Sequence, residues 1–208
     1  MQKNDESCLF CYLLLDKQEV DFHEKCSMKI FGQRAAPELP YSEDKLKELA
    51  AQIIKSQSSI TGVQAKLSLH LNSGAQKKNT KRFTIVGLWG AYILKPATAQ
   101  YPQLPEVEDL TLHLAEIAKI KVVPHRLIRM QSGNFAYITK RIDRIKKERL
   151  HMEDMCQLTE RMSEDKYYGS YEQIAKIIQN ISSIQVWIPL IFLSLFCFLF
   201  LPGIRICI

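Results

Sequence analysis

Two pairs of metal-type side chains stand close together near the start of the sequence. They are Cys8-x2-Cys11 and His23-x2-Cys26, with eleven residues between the pairs. Zinc takes four soft or borderline ligands in a tetrahedron, and an x2 spacing lets one tight turn present two of them. Four protein ligands fill the coordination sphere, so the implied role is a structural staple for a segment with little core of its own. The competing reading is four unrelated residues, some of them simply buried. A second set of residues lies further on. Ser58, Ser59, Ile60, Thr61 and Gly62 make a small-residue loop, and such loops can turn backbone N–H groups toward phosphate oxygens. Lys95 ends an apolar run, either as a snorkelling edge residue or as a lysine aimed at nucleotide phosphates.

These residues need elements to hold them. Val63, Ala65, Leu67, Leu69 and Leu71 alternate with Gln64, Lys66, Ser68 and His70, the period of a half-buried strand. Ahead of it, Ser42 caps a helix whose stripe is Leu46, Leu49, Ala50, Ile53 and Ile54. The residues between Pro37 and Pro40 read as a linker. After the Asn72-Ser73-Gly74 turn, Phe83, Ile85 and Gly87 indicate a return strand, and Ala91 to Lys95 a third. Pro105 and Glu106 open a helix with Val107, Leu110, Leu114, Ile117 and Ala118 on one face and Glu108 in its first turns. Val122 to Met130 and Phe135 to Thr139 flank a Ser132-Gly133-Asn134 turn, a hairpin pattern. Ser170 with Gln173 forms a capping box for a helix striped by Ile174, Ile177, Ile178 and Ile181.

The order is helix, Gly-loop, three strands with a terminal Lys, helix with an early Glu, and two strands. It is the order of a protein-kinase small lobe, where a loop covers the phosphates and the third-strand Lys pairs with a Glu of the next helix. The expected fold is therefore α+β. A zinc-knuckle segment occupies 1–36, a kinase-like small lobe of antiparallel sheet plus helix 37–150, the start of a helical large lobe 151–183, and an apolar tail 184–208. In this mapping Lys95 neutralises the α/β-phosphates of ATP, Glu108 holds Lys95, and peptide groups around Ile138 meet the adenine edge.

The sequence resembles the HipA-like serine/threonine kinases, the toxin kinases of bacterial toxin–antitoxin pairs, over roughly residues 40 to 183. The resemblance is carried by SSITGVQAKLSL (58–69), YILKP (92–96), PEVEDLTLHLAE (105–116), VVPH (122–125), AYITKRIDR (136–144) and HMEDMCQ (151–157). It implies ATP with Mg²⁺ as cofactor, and a phosphate-covering loop formed by Ser59, Thr61, Gly62 and Gln64. Ser59 falls where some members autophosphorylate, and Thr61 at a second hydroxyl position. It also implies a helix-turn-helix antitoxin as partner, DNA contact only through that antitoxin, and protein substrates of the aminoacyl-tRNA synthetase class. Longer members carry an extra N-terminal subdomain before the loop helix. A separately encoded companion is expected to supply it here.

The family's catalytic loop, resembling Gly-Asn-x-Asp-x-His-x-Lys-Asn, supplies the Asp and Asn that phosphoryl transfer needs. It is absent from these 208 residues. From Ile184 the chain reads IQVWIPLIFLSLFCFLFLPGIRICI, with Arg205 its one charged residue. A membrane anchor is one reading, although Trp187 to Pro202 gives 16 residues against the ~20 of a usual span. A change of reading frame after Ser183 is another. Codons exist for 184–208 that, read one base earlier, encode NPGLDTLNFFELVLFSFLTGNTDMH, which contains the opening of that catalytic loop. A buried helix is the third reading. The expectation is a truncated chain that binds nucleotide without transferring phosphate.

Composition sets the outer bounds. The chain is 47% hydrophobic and 24% charged, as globular proteins are. Its net charge of 28 − 22 = +6 is too small to imply nucleic acid by itself. The basic run KRIDRIKKER (140–149) reads first as a solvated face. No secretory signal is visible, which favours the cytoplasm, where six cysteines are ligands or buried thiols before they are disulfides. Two functions of other classes compete with the kinase reading. One is a non-catalytic zinc-containing module that binds the antitoxin or companion, and the other a tail-anchored membrane protein.

Overall fold

The computed structural model describes residues 7–56, 66–72, 81–86, 90–145, 148–153, 155–162, 165 and 168–181. The chain divides into two compact units, Met1–Leu112 with Val123–Arg144, and His113–Val122 with Ile145–Ile208. The Ser59–Gln64 loop and the 184–208 tail lie outside the described residues.

The first unit opens with the Cys/His segment and helix α1 (Glu24–Phe31). Gly32 stops that helix at φ 67°, its N–H closing on the Met28 carbonyl, a left-handed position that suits glycine. Helix α2 (Glu43–Ser56) follows. Ser42 caps it as its sequence indicates, with Lys45 N–H donating to Ser42 Oγ at 3.4 Å. The stretch between Pro37 and Pro40 is more than a linker. Glu38 bridges to Arg82, accepts the Phe83 N–H at 3.0 Å and ion-pairs Arg82 at 2.7 Å, while Leu39 is buried.

Strands β1 (Leu67–Asn72), β2 (Arg82–Val86) and β3 (Tyr92–Pro96) precede helix α3 (Leu104–Ile117), then β4 (His125–Arg129) and β5 (Phe135–Lys140). The five strands form one sheet in the order β2-β1-β3-β5-β4, with every pair antiparallel. Register is set by burial: Leu67 faces Leu94, Leu69 faces Ile85, and Leu94 faces Ile138. Slipping one residue would turn these side chains to the other face. Gly90 packs against β1, its N–H donating to Ser68 Oγ at 2.9 Å, and a Cβ there would collide with the backbone of Leu69.

The core lies on the sheet face that carries Tyr92 and Leu94. It includes Cys8, Leu9, Phe22, Ile30 and Phe31 from the N-terminal segment, with Leu46 of α2. Aromatic rings join the two parts. Phe31 meets Phe22 at 5.4 Å and Phe83 at 5.8 Å between ring centres, and Phe83 meets Tyr92 at 5.3 Å, edge-to-face geometry that adds to area burial. Tyr92 OH also donates to the Ile30 carbonyl at 3.2 Å.

Helix α3 departs from the periodicity of its sequence. Val107, Leu110 and Ile117, placed by their spacing on the core stripe, are exposed, whereas Asp109, Thr111 and Ala115 are buried. The basic run differs too. Arg141 and Arg144 close on the buried carboxylate of Asp143 rather than extending into water.

From Arg144 onward, β6 (Arg144–Ile145) and β7 (Glu148–Arg149) form a two-stranded ribbon. Helix α4 (Met155–Leu158) is short, and α5 (Tyr171–Ile181) begins at a capping box. Ser170 N–H donates to Gln173 Oε1 at 3.2 Å and Gln173 N–H to Ser170 Oγ at 3.3 Å. No helix among the described residues is long and apolar enough to cross a membrane.

Candidate functional site

Strand alternation decides where Lys95 points. Tyr92, Leu94 and Pro96 take the core face of β3, so Ile93 and Lys95 take the other. Helix α3 brings Glu108 there. Lys95 Nζ donates to Glu108 Oε1 at 2.7 Å, with both side chains about three-quarters buried. Across the β3–β5 register Lys95 faces Tyr137, whose ring centre lies 5.2 Å from Nζ. The second carboxylate oxygen, Glu108 Oε2, is buried and has no hydrogen-bond partner among the described residues.

Ile138 is wholly buried in mid-β5, between Leu94 of β3 and Arg126 of β4. β5 ends at Lys140, whose N–H donates to the Pro124 carbonyl at 2.9 Å, and the next N–H, of Arg141, donates to that of Ala91 at 2.8 Å. The sequence thus brings Lys95, Glu108 and Ile138 into one sheet-and-helix unit. Ser59, Thr61, Gly62 and Gln64 fall outside the described residues. An open cleft lined by Asp21, Arg34, Arg82 and Arg129 does not include Lys95 or Glu108.

A second constellation lies in the N-terminal segment. Ligand atoms of Cys8, Cys11, His23 and Cys26 all stand within 4.8 Å of one another. A tetrahedral zinc with Zn–S bonds near 2.3 Å separates its ligands by about 3.8 Å, so the spacing fits such an ion. The described cysteines, Cys8, Cys11, Cys26 and Cys156, are free thiols. His23 Nε2 lies 3.0 Å from the Leu14 carbonyl. A carbonyl only accepts, so Nε2 carries the proton and Nδ1 faces Cys11 Sγ at 3.3 Å and Cys26 Sγ at 3.8 Å. A backbone acceptor that fixes the tautomer is the usual support of a metal-binding imidazole.

The electrostatics also fit a cation. Burial opposes the Cys8 thiolate, but N–H groups of Cys11, His23 and Phe10 outweigh it and lower its pKa to about 7. Burial, a hydrogen bond with Cys11 and the charge of Cys8 push Cys26 up to about 12. Thiolates this close share a site cheaply only with a positive ion between them.

Three residues escape sequence reasoning, two of them in this segment. Tyr12 follows Cys11 and its hydroxyl donates to the buried carboxylate of Asp109 on α3. Asp21 precedes the second pair and holds Arg129 of β4 at 2.8 Å. No local pattern marks these contacts, which join residues 97 and 108 positions apart. Tyr137 could have been found by pairing β3 with β5.

An antiparallel five-stranded sheet, whose third strand delivers a lysine to a glutamate of the following helix, defines an α+β unit compatible with a protein-kinase small lobe. The model of the HipA-like C-terminal domain family matches residues 58–198. A Haemophilus influenzae protein named putative kinase is 34% identical over 158 residues, covering 68% of this chain and 43% of that protein. The chain belongs to the HipA-like kinase family. The family match runs past Ser183 into the apolar stretch, and the chain spans less than half the length of that relative.

Proposed function

We propose that this chain is the ATP-binding part of a HipA-like serine/threonine protein kinase. The observation that carries this reading is the 2.7 Å pair of Lys95 with Glu108, on the third strand and the following helix. In this role Lys95 meets the α/β-phosphates and Glu108 fixes its ammonium. In this reading the adenine edge lies at the end of β5, where the N–H groups of Lys140 and Arg141 already have carbonyl partners. The Ser59–Gln64 loop covers the phosphates, with Ser59 and Thr61 as phosphate acceptors, and Mg²⁺ arrives with ATP. A zinc ion held by Cys8, Cys11, His23 and Cys26 is structural, because all four positions are protein ligands.

The wider reading is a toxin of a toxin–antitoxin pair acting in the cytoplasm, where thiolate ligands stay reduced. Its partners are a helix-turn-helix antitoxin, a companion subunit and a protein substrate of the aminoacyl-tRNA synthetase class. Phosphotransfer needs a catalytic-loop Asp and Asn in addition to the nucleotide-binding residues named here.

Thermal unfolding with and without Mg·ATP tests this. A rise in midpoint that disappears in Lys95→Ala is the expected result. Equal stabilisation of parent and variant, or none of the parent, overturns nucleotide binding at Lys95.

A further inference from the structure

We propose that the Cys8/Cys11/His23/Cys26 staple positions the helix that carries Glu108: a bound divalent metal holds Tyr12 against Asp109 of α3 and Asp21 against Arg129 of β4, so nucleotide affinity at Lys95 follows the state of the metal. The inference rests on the zinc and nucleotide readings above and adds a coupling between them.

Tyr12, beside the first ligand pair, grips α3, and Asp21, beside the second, grips β4. Tyr12 comes directly after Cys11, within the turn closed by Tyr12 N–H donating to the Cys8 carbonyl at 2.9 Å. Its φ is 59°, a left-handed position that glycine occupies freely and an aromatic residue does not. Such placements persist where surrounding structure over-determines them. Here the side chain has a task, because its hydroxyl donates to Asp109, which is wholly buried on α3 next to Glu108. A buried carboxylate depends on its donors, so the contact ties the helix to the segment.

The second pair is preceded by Asp21, also left-handed at φ 60°. Its carbonyl accepts the Leu9 N–H at 2.7 Å, and its carboxylate holds Arg129 Nε of β4 at 2.8 Å. The segment thus packs on the Tyr92 face of the sheet, passes the β4 edge through Asp21–Arg129 and Phe10–Arg126, and reaches α3. A metal joining the two pairs fixes the distance between their grips, and hence between α3 and the sheet that carries Lys95. The 2.7 Å Lys95–Glu108 contact survives little movement of the helix, since hydrogen-bonded pairs weaken steeply with distance.

The test uses the full chain, its metal content, titration with a fluorescent ATP analogue and amide hydrogen exchange. The parent should carry one equivalent of zinc. Chelation should weaken analogue binding by on the order of tenfold, zinc should restore it, and exchange in α3 should quicken more than in β3 and β5. Tyr12→Phe should keep its zinc, bind the analogue several-fold more weakly, show the same α3-localised exchange, and respond little to chelation. The proposal is overturned if Tyr12→Phe binds like the parent, or if chelation weakens both proteins by the same factor. It is also overturned if the parent neither retains nor takes up zinc. If the parent binds no nucleotide, the nucleotide reading fails separately. The exchange data then decide the metal-to-helix coupling: α3 exchange unmoved by chelation and by Tyr12→Phe removes it as well.

Discussion

Lys95 and Tyr137 are paired across β3 and β5, and the ammonium of one stands 5.2 Å from the ring centre of the other. The cation therefore has an aromatic face on one side and the Glu108 carboxylate on another. Burial and the charge of Glu108 push the Tyr137 hydroxyl well above its ordinary pKa, so the ring stays neutral beside the ion pair. A lysine held in this way is ordered before any phosphate arrives, and binding a phosphate then costs less conformational entropy.

The pair should show as a coupling energy. Lys95→Met removes the counter-charge of Glu108, whose second oxygen already lacks a hydrogen-bond partner among the described residues. The setting, about three-quarters buried, lies between surface pairs and fully buried ones, so the expected loss is about 2 kcal/mol. Adding Glu108→Gln should recover at least half of it, because the unpaired charge is then gone. Urea unfolding of the parent, both single variants and the double variant closes the cycle. A double variant whose loss equals the sum of the single losses would mean that the two side chains are not coupled.

The N-terminal segment should behave energetically as part of the sheet's own core. Phe31 is 4% exposed and its ring meets those of Phe22, Phe83 and Tyr92. Phe31→Ala should cost about 3–5 kcal/mol, and Phe31→Leu, which keeps most of the volume, about 1 kcal/mol. Far-UV circular dichroism followed through urea unfolding measures both. A Phe31→Ala loss below about 1 kcal/mol would place the segment outside the cooperative core.

How much of this was legible in the sequence follows from the range of each interaction. Period-two alternation located Leu67, Leu69 and Leu71, and turn chemistry located the hairpin at Ser132–Asn134, because both signals are local. The Lys95–Glu108 contact followed from strand order with a family template. Helix α3 misled the periodicity for a physical reason. Its buried face carries Glu108 and Asp109, which meet Lys95 and Tyr12, so polar partners there replace apolar packing. Val107 and Leu110 are left outside. The strand-like bridge of Glu38 to Arg82 was hidden between two prolines, where only the sheet edge supplies the partner. Tyr12–Asp109 and Asp21–Arg129 depend on the path of the folded chain and leave no periodic trace.

Asp143 sets an acid limit on the first unit. Its side chain is 4% exposed, takes Arg141 Nε at 2.8 Å and Arg141 NH2 at 2.6 Å, and touches Arg144. The hydrogen bonds from Arg141 outweigh burial and lower its pKa from 3.8 to about 2. A carboxylate whose folded pKa is depressed contributes stability above its unfolded pKa and loses it as pH falls through the folded one. The window here runs from about pH 4 down to about pH 2. The full contribution is about 2 kcal/mol. Asp143→Asn removes that titration and leaves two guanidinium groups facing an amide. It should be less stable than the parent at neutral pH by a similar amount, and the gap should narrow steadily as the parent's Asp143 protonates. Urea midpoints of parent and variant at about pH 6, pH 4 and pH 3 measure the gap. A gap that stays constant across those values would show that the arginines do not hold the carboxylate in its ionised form, and that Asp143 contributes through packing alone.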